Sequence, residues 1–284
     1  MRVSVVIPAF NEEAAIGDVL SQLQQIEQID EIIVVDDGST DGTAELVNSF
    51  AGVDIKQHPY NIGNGAAIKT GIRNATGEVV VLMDGDGQHP PSEIPKMLSF
   101  IEEYDMVVGA RTLDSSASAH RNVANAIFNR YASYIVGHPV EDLTSGFRVI
   151  NATVMRSFLY LLPNGFSYPT TITIALFRAG YPVKYHPFVS PARIGKSKIR
   201  PVRDGLRFML TLTRLAVFFV PLKIFLPISI VFIVPGATYT LLLLILVSRF
   251  SGFGGLVTTI GIFVFLLGLV AEQIAMLRYV NSDR

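Results

Sequence analysis

The chain has 284 residues, a net charge of −1 at pH 7, 17% charged residues and no cysteine. These values exclude disulfide bonds and thiolate catalysis, and they provide no bulk positive charge for binding nucleic acid. The mean hydropathy of +0.42 is high for a soluble domain, and the charged fraction is below the quarter that is usual in such domains. The apolar excess is concentrated near the C-terminus.

The first part of the chain alternates short apolar runs with amphipathic segments. Continuous Val- and Ile-rich runs predict strands, and apolar residues spaced three or four apart predict helices between them. The predicted strands are 3–7, 32–35, 53–57, 79–83 and 106–108, and the predicted helices are 12–25, 40–50, 64–75 and 91–102. This alternation predicts an α/β fold with a mainly parallel, Rossmann-like sheet that has helices on both faces.

The pattern loosens after residue 109. The polar stretch 112–119 predicts a mobile loop, 122–135 and 169–179 predict helices, and 183–188 predicts a strand. Segment 204–223 then mixes large apolar residues with arginines. It predicts an amphipathic juxtamembrane helix that lies along a bilayer, with one more core helix as the alternative. The domain that precedes it is therefore expected to cover residues 1–203.

Two uncharged apolar runs follow, from 224 to 248 and from 251 to 271. Each is long enough to cross a hydrocarbon core about 30 Å thick as a helix. Buried core helices are the alternative, but neither run has the polar face of such a helix. We therefore predict a transmembrane hairpin over 224–280, with spans at about 224–248 and 252–276. Glu272 is expected at the head-group level, in contact with Arg278.

Positive charge is concentrated ahead of this hairpin. Eight basic residues and one acid lie between 193 and 223, whereas the connector between the two runs has only Arg249. The positive-inside rule predicts an integral membrane protein with the N-terminal domain and both termini in the cytoplasm. An N-terminus without an apolar signal-peptide stretch agrees with this orientation. The basic segment serves orientation and attraction to anionic lipids, or it forms an anion site at the membrane surface.

Acidic residues follow the fourth predicted strand. Asp84 and Asp86 come directly after the run 79–83, and Gln88 lies two residues further on. Open α/β sheets bind ligands at the carboxyl ends of their strands, and Mg²⁺ or Mn²⁺ prefers oxygen ligands there. The pattern predicts a divalent metal site. Asp and Gly are also common turn residues, so the motif by itself fits a simple turn as well.

Several familiar nucleotide-binding and metal-binding motifs are missing. The turn 8–12 lacks the Gly-x-Gly-x-x-Gly of a dinucleotide-binding fold, and no Walker A sequence occurs. Segment 36–43 is superficially similar to an EF-hand loop, but it follows a strand and has Asn48 in place of the bidentate glutamate. Carboxylates here suit hydrogen bonds to a ribose or a base, and Asp41 is expected to cap the next helix.

Four motifs in order resemble those of family 2 glycosyltransferases of the GT-A fold. They lie at 5–13, 34–43, 61–66 and 84–90. The chain more closely resembles the polyprenyl-phosphate glycosyltransferases typified by dolichol-phosphate mannose synthase, through 88–91, 143–148, 193–198 and the two apolar runs. The resemblance covers essentially the whole chain. It implies a nucleotide-sugar donor, a polyprenyl or dolichyl phosphate acceptor, and Mg²⁺ or Mn²⁺.

The resemblance also implies roles for individual residues. The implied donor contacts are Pro8, Phe10, Glu12, Asp37, Lys69, Asp84 and Gly85. The implied metal ligands are Asp84, Asp86 and Gln88. The implied acceptor-phosphate contacts are Arg111, Arg121, Asn125 and Arg193, to which we add Lys198. Asp142 matches the acid that related transferases use as a general base, so that the expected catalytic set is Asp86, Asp142, Arg111 and Arg121.

The implied reaction is a direct displacement that inverts the sugar and gives a β-linked lipid-phosphate sugar. A lipid phosphate is largely deprotonated at neutral pH, so Asp142 either deprotonates or positions. Arginine suits this chemistry because it binds phosphate oxygens in pairs, although solvated loop charges are an alternative for Arg111 and Arg121, and an exposed helix position is one for Lys69. The donor is expected to be of the GDP-mannose or UDP-glucose type.

Three other classes of protein are weighed against this reading. A processive polysaccharide synthase would carry Gln-x-x-Arg-Trp, and the chain has no tryptophan. A non-catalytic membrane partner would have no need of Asp84, Asp86 and Gln88. A nucleotidyltransferase is disfavoured by the apolar C-terminal runs. A homo-oligomer is compatible with the sequence, and nucleic acid is not expected as a partner.

Overall fold

The computed structural model describes residues 1–112, 119–165, 167–191 and 201–282. They form two compact units, Met1–Phe208 and Met209–Arg284, each of which is described by itself. The first unit contains a seven-stranded sheet and helices α1 to α7. The strands are β1 Val3–Ala9, β2 Glu31–Asp36, β3 Val53–Gln57, β4 Val79–Leu82, β5 Met106–Arg111, β6 Arg148–Asn151 and β7 Val183–Phe188. The helices are α1 Glu13–Leu23, α2 Thr43–Asn48, α3 Asn64–Asn74, α4 Ile94–Leu98, α5 Ala119–Val136, α6 Ala152–Ser157 and α7 Tyr168–Arg178, with short 3₁₀ turns at Pro91–Glu93 and Leu159–Leu161.

The strand order is β3-β2-β1-β4-β6-β5-β7, and every pair is parallel except those that β6 makes. The predicted α/β fold with a mainly parallel sheet is confirmed. The sequence analysis missed β6, because this four-residue strand begins with a charged side chain, Arg148. Since β6 is antiparallel to its neighbours, the segment before it lies at the edge where β4 and β5 end.

The sheet has a hydrophobic core on each face. Val5, Ile7 and Val34 pack with α1 on one face, whereas Val6 and Ile33 pack with α3 on the other. Side chains alternate between the two faces of a strand, so strands covered on both sides are apolar at every position. This is why continuous apolar runs predicted β1, β2 and β4 correctly.

Two predicted helices, 40–50 and 91–102, are about half as long in the structure as predicted. Segment 40–50 is helical only over α2, because the residues ahead of it form a turn in which Asp41 Oδ1 accepts a hydrogen bond from Thr43 N (3.1 Å). The N-cap of α2 is Gly42, without a side-chain cap hydrogen bond, so the prediction that Asp41 caps this helix is wrong, although Asp41 does bind the N–H of its first residue. Segment 91–102 divides into a 3₁₀ turn and α4. Most of the predicted mobile loop, residues 113–118, lies outside the described residues.

The second unit contains the end of α8 Pro201–Phe219, followed by α9 Pro221–Val247 and α10 Gly252–Ser282. Pro221–Val247 and Gly252–Leu277 are long and apolar enough to cross a membrane. They coincide with the two predicted spans to within a few residues. The end of α8 is amphipathic: Leu212 and Ala216 are buried, while Arg214 is exposed. The position of α8 at a bilayer surface stays a prediction.

Helices α9 and α10 approach each other along a seam of small residues. Gly254, Gly261, Gly268 and Ala275 recur at every seventh position of α10. A methyl group added to Gly261 would lie 2.8 Å from Ile233 N, and one added to Gly268 would lie 2.6 Å from Phe225 Cβ. Without side chains at these positions the two backbones pack directly against each other, as in many membrane helix pairs.

Glu272 links the two helices of the hairpin near one end. Its Oε2 accepts a hydrogen bond from Leu222 N (3.0 Å), in the first turn of α9. The first backbone N–H groups of a helix have no partner within that helix, so a carboxylate from α10 satisfies one of them. The expected contact with Arg278 falls on a side chain outside the described residues.

Candidate active site at the carboxyl edge of the sheet

The turns after β1 and β2 are hydrogen-bonded to each other. Asn11 has a left-handed backbone (φ 57°); its N–H donates to Ser39 Oγ (2.9 Å), and its Oδ1 accepts from Thr40 N (2.8 Å). Asparagine tolerates this conformation better than most residues. Glu12 N donates to Thr43 Oγ1 (3.0 Å). The predicted donor contacts Pro8, Phe10 and Glu12 therefore lie on or beside a turn whose shape the β2 turn holds.

Asp37 organises the segment after β3. Its carboxylate is 2% exposed and accepts hydrogen bonds from His58 Nδ1 (2.7 Å), Ile62 N (3.0 Å) and Gly63 N (2.8 Å). The sequence analysis assigned this residue a nucleotide contact and did not foresee the link to His58. In the structure Asp37 connects the ends of β2 and β3 through these hydrogen bonds. Its direct contact with a nucleotide stays a prediction.

The Gly63-x-Gly65 motif brings the start of α3 against segment 162–165. A methyl group added to Gly63 would lie 2.5 Å from Asn164 O, and Lys69 Nζ donates to Leu162 O (3.1 Å) and Asn164 Oδ1 (2.5 Å). Burial, aided by the charge of Arg73, lowers the pKa of Lys69. Lys69 is thus bound to protein carbonyls in this structure, and the donor-phosphate contact predicted for it is untested.

The two predicted metal carboxylates lie on a tight turn after β4. Asp84 N donates to His89 Nδ1 (2.9 Å), and Asp86 Oδ1 accepts from Gln88 N (3.1 Å). Between Asp86 and Gln88, Gly87 has a φ of 76°, which reverses the direction of the chain. A methyl group added to Gly146 would lie 3.2 Å from Asp84 Oδ2, so the segment before β6 passes close to this carboxylate.

His89 is buried behind the turn. Its ring stacks on Phe147 with centroids 5.1 Å apart and planes 11° from parallel. Burial lowers the pKa of His89 from 6.5 to about 4, although the charge of Asp86 opposes this. The imidazole is therefore neutral at pH 7, and because Nδ1 accepts from Asp84 N, the ring proton resides on Nε2.

The fit of a divalent ion is decided by the donor set. Across the described parts of the chain, no three or more His, Asp or Glu side chains are grouped to hold a metal on their own. Asp84 and Asp86 do supply two carboxylates one residue apart, and the Asp84 side chain is 37% exposed. Mg²⁺ and Mn²⁺ sites of this kind keep open positions that substrate phosphate fills. The residues fit an ion shared with a bound diphosphate.

Arg111 and Asp142 form a bidentate ion pair at the end of β5. Arg111 Nε donates to Asp142 Oδ2 (2.8 Å), and Nη2 donates to Asp142 Oδ1 (2.9 Å) and to Thr144 Oγ1 (2.6 Å). Thr144 N and Ser145 N also donate to Oδ1. Burial alone would raise the pKa of Asp142, but these bonds and the charge of Arg111 outweigh it and lower the pKa. A carboxylate that accepts so many hydrogen bonds is a poor proton acceptor. The arrangement therefore favours a role for Asp142 in positioning Arg111 over a role as a general base.

The charged side chains near the ends of β4 and β5 act on one another. The charges of Asp84 and Asp86 raise the pKa of Arg111, although less than Asp142 does, while burial opposes the rise. Of the other predicted acceptor-phosphate residues, Asn125 is half-buried on α5. The Arg121 side chain and all of Arg193 and Lys198 lie outside the described residues.

Comparison with known proteins gives two matches to family models. Glycosyl transferase family 2 matches residues 4–159, more than half of the chain, and the GtrB C-terminal hairpin matches residues 220–277. A dolichyl-phosphate hexose transferase of Haloferax volcanii is 31% identical over 205 residues, which cover 71% of this chain and 88% of that protein. An undecaprenyl-phosphate 4-deoxy-4-formamido-L-arabinose transferase of Proteus mirabilis is 32% identical over 56% of this chain, but the match spans only 51% of its length.

Solved structures give the same fold. Glucosyl-3-phosphoglycerate synthase of Mycobacterium tuberculosis, in complex with Mn²⁺, uridine diphosphate and glucosyl-3-phosphoglycerate, superposes with a TM-score of 0.59 at 23% identity. The superposition covers 76% of this chain and 80% of the synthase. At that identity the likeness establishes the fold alone. Together with the family models and the Haloferax relative, it shows that the chain belongs to glycosyl transferase family 2.

Proposed function

We propose that this protein transfers a sugar from a nucleotide-sugar donor to a membrane polyprenyl phosphate, with inversion, and so makes a β-linked lipid-phosphate sugar. The observation that carries the proposal is the meeting of the Asp84–Asp86 turn with the Arg111–Asp142 pair. A turn that would bind the donor diphosphate thus lies near a cation that would bind a second anion. The names of the relatives support a dolichyl or undecaprenyl phosphate as that second anion.

Asp84, Asp86 and Gln88 would hold a divalent cation together with the donor diphosphate. When bound, Mg²⁺ or Mn²⁺ supplies Lewis acidity that neutralises the charge of the departing nucleotide. Mn²⁺ and uridine diphosphate in the structurally similar synthase support this role. The turns after β1 and β2, which are hydrogen-bonded to each other, would present Pro8, Phe10 and Glu12 to the base and ribose.

Arg111 would bind the acceptor phosphate. Its side chain is 33% exposed, and its Nε and Nη2 donate to Asp142 and Thr144. Its Nη1 has no hydrogen bond to any residue in the described ranges and would donate to a phosphate oxygen. A guanidinium held in one orientation loses little side-chain entropy when it binds an anion. The phosphate is already largely ionised at neutral pH, so attraction and alignment are what the protein must supply.

The apolar hairpin of α9 and α10 would anchor the transferase domain in the membrane that contains the acceptor. Both helices meet the length for a span, and the hairpin family model covers them. We propose that the transferase domain and both termini lie in the cytoplasm, on the basis of the positive charges ahead of the hairpin. Anchoring fits an acceptor that never leaves the bilayer.

The proposal is tested by incubating the full-length protein in detergent with labelled GDP- and UDP-sugars and polyprenyl phosphate. We expect label in the lipid extract from one donor, in the presence of Mg²⁺ or Mn²⁺ and not with EDTA. Nuclear magnetic resonance of the product should show a β-linked sugar phosphate. Transfer of label only to a water-soluble acceptor, or an α-linked product, would overturn the proposal.

A further inference from the structure

Arg148 is the largest fully buried side chain of the described residues, and the proposed reaction does not use it. It begins β6, in register with Leu82 of β4 and Val108 of β5. These two strands lead directly to Asp84 and Arg111. Burying a guanidinium costs several kcal/mol unless its N–H groups are satisfied, and an apolar residue would often serve stability as well. A charge at this position therefore calls for an explanation.

The hydrogen bonds of Arg148 are directed at the turn formed by residues 142–145. Nε donates to Ser145 O (2.9 Å) and Nη2 points to Leu143 O at 3.5 Å. Nη1 donates to Thr173 Oγ1 (2.8 Å), which itself donates to Pro169 O (2.8 Å) in α7. The guanidinium thus joins the 142–145 turn to helix α7 through neutral acceptors.

The 142–145 turn is held from both sides. Asp142 Oδ1 accepts from Thr144 N (3.2 Å) and Ser145 N (3.1 Å), so the carboxylate binds the N–H groups of the turn while Arg148 binds its carbonyls. The same carboxylate and the Thr144 hydroxyl fix Arg111. A displaced turn would therefore move both groups that orient Arg111.

We propose that Arg148 is a positioning residue, which holds the 142–145 turn so that Asp142 and Thr144 present Arg111 to the acceptor phosphate. Arg148 touches neither substrate and acts through the turn. The kinetic part of this inference rests on the proposed function, whereas the structural part does not. Lysine is not an adequate substitute, because its single ammonium cannot reach Ser145 O and Thr173 Oγ1 with the geometry of a planar fork.

The test compares Arg148→Lys, Arg148→Met and Thr173→Val in the full-length protein in detergent. Thr173→Val removes one anchor and keeps the arginine, so it remains informative if both Arg148 variants fail to fold. Arg156→Met is the matched control, since Arg156 Nη2 also donates to a backbone carbonyl, Ala75 O (2.6 Å), away from the turn. Each variant is measured for its melting temperature, for hydrogen exchange by mass spectrometry, and for its donor and acceptor KM and kcat.

We expect amide exchange to rise at least about tenfold in residues 142–147 of the Arg148 variants, and less in Thr173→Val. The acceptor KM should rise about tenfold with the donor KM nearly unchanged. Arg156→Met should lower the melting temperature and change neither. Faster exchange across the whole domain, or equal increases in both KM values, would overturn the positioning role. If the wild-type protein transfers no sugar but exchange still rises only in the turn, the proposed function and the kinetic part of this inference fail, while the structural part, in which Arg148 holds the 142–145 turn, stands.

Discussion

One edge of the sheet has two halves, whose carboxylates have different partners. The first half comprises the turns after β1, β2 and β3, and the second comprises the turns near β4, β5 and β6. Within the described part of the chain, Asp37 accepts hydrogen bonds from two backbone N–H groups and an imidazole, and from no guanidinium. Asp142 is satisfied largely by Arg111, and Asp84 and Asp86 act electrostatically on the same arginine. The first half of the edge therefore has a fixed shape, whereas the second half has a charge balance that a bound anion or cation would change.

This difference separates binding from chemistry in the proposed reaction. A preformed surface of backbone and hydroxyl groups recognises a nucleotide at little cost in ordering. A cluster of opposite charges would stabilise the negative charge that develops on the departing nucleotide diphosphate as its bond to the sugar breaks, and it would do so without reorganising. Substitutions in the two halves should therefore fail in different ways, and each prediction below changes one half alone.

The largest effect is expected for Asp86→Ala in the charged half. Loss of a carboxylate from the proposed metal site should lower kcat about 10³-fold, comparable to the loss of a strong electrostatic donor. The melting temperature should change little, because the relief of burying an acid beside Asp84 is offset by the loss of the hydrogen bond from Gln88 N and of the attraction to Arg111. Initial rates and thermal melts measure both. Asp18→Ala, at an exposed position of α1, is the control, and substantial turnover by Asp86→Ala in excess Mn²⁺ would refute the metal role.

Asp142→Asn should be the next in size. Asp142 is buried but Arg111 is one-third exposed, so the loss of this charge should cost less than in a fully buried pair, about 1 to 3 kcal/mol. The acceptor KM should rise about tenfold as Arg111 loses its orientation. The lowered pKa of Asp142 adds stability that is present above its unfolded pKa of about 3.9 and is lost as the pH falls through its lower folded value. The variant should therefore lose less stability than the wild type on acidification below about pH 4.

Asp54→Asn is the matched control for this experiment. Asp54 pairs with Lys56 at 3.0 Å on the exposed surface of β3. Exposed pairs contribute at most about 1 kcal/mol, so this variant should melt within a few degrees of the wild type at pH 7. Equal losses of stability in the two variants would show that burial does not distinguish the Arg111–Asp142 pair.

His89→Gln tests the neutral imidazole behind the metal turn. The pKa of His89 is lowered to about 4, so the unfolded chain takes up a proton at this residue between about pH 6.5 and pH 4 while the folded chain does not. Wild-type stability should therefore fall by up to about 3 kcal/mol more than that of the variant over this range. Unfolding at several pH values measures the slope. His138→Gln controls for the loss of a stacked ring at an exposed site, and identical slopes for wild type and His89→Gln would contradict the prediction.

The smallest effect is expected for Asn11→Ala, in the first half of the edge, which has the fixed shape. Alanine loses the hydrogen bond from Thr40 N and fits the left-handed backbone poorly, which should cost about 1 to 2 kcal/mol. The donor KM should rise a few-fold and the acceptor KM should not change, as steady-state kinetics will show. Asn11→Gly keeps the backbone conformation but loses the side chain, and so separates the two causes. A larger change in acceptor KM than in donor KM would contradict the division of the edge into two halves.

The sequence predicted those features that short segments determine. The runs before Asp37 and Asp84 indicated buried strands, and the carboxylates at their ends were placed at the correct edge of the sheet. The two apolar helices were predicted because length and composition alone define them. The sequence analysis missed features that require distant residues to meet, such as the contacts of Lys69 with Leu162 and Asn164.

Arg148 shows the limit of such reasoning most clearly. A charged residue beside Phe147 and ahead of Val149 gives a mixed pattern, and no local rule predicts that it is fully buried. Its burial follows from the sheet, because β6 is inserted between β4 and β5 and has neighbours on both sides. Likewise, only the fold shows that Arg111 and Asp142, which are 31 residues apart, form a bidentate pair.

Along the glycine seam of the hairpin, small residues rather than large ones should be the least tolerant of substitution. In the sheet domain many of the residues that resist substitution are large, because they fill a core that must be close-packed, although a glycine in a tight contact such as Gly63 resists it as well. In the hairpin the irreplaceable positions are the smallest ones, Gly254, Gly261 and Gly268, while many of its bulky residues, such as Leu246 and Phe263, face outward. A saturation library of this chain should therefore tolerate one aliphatic residue for another on the outside of α9 and α10, and reject even a single added methyl group along the seam.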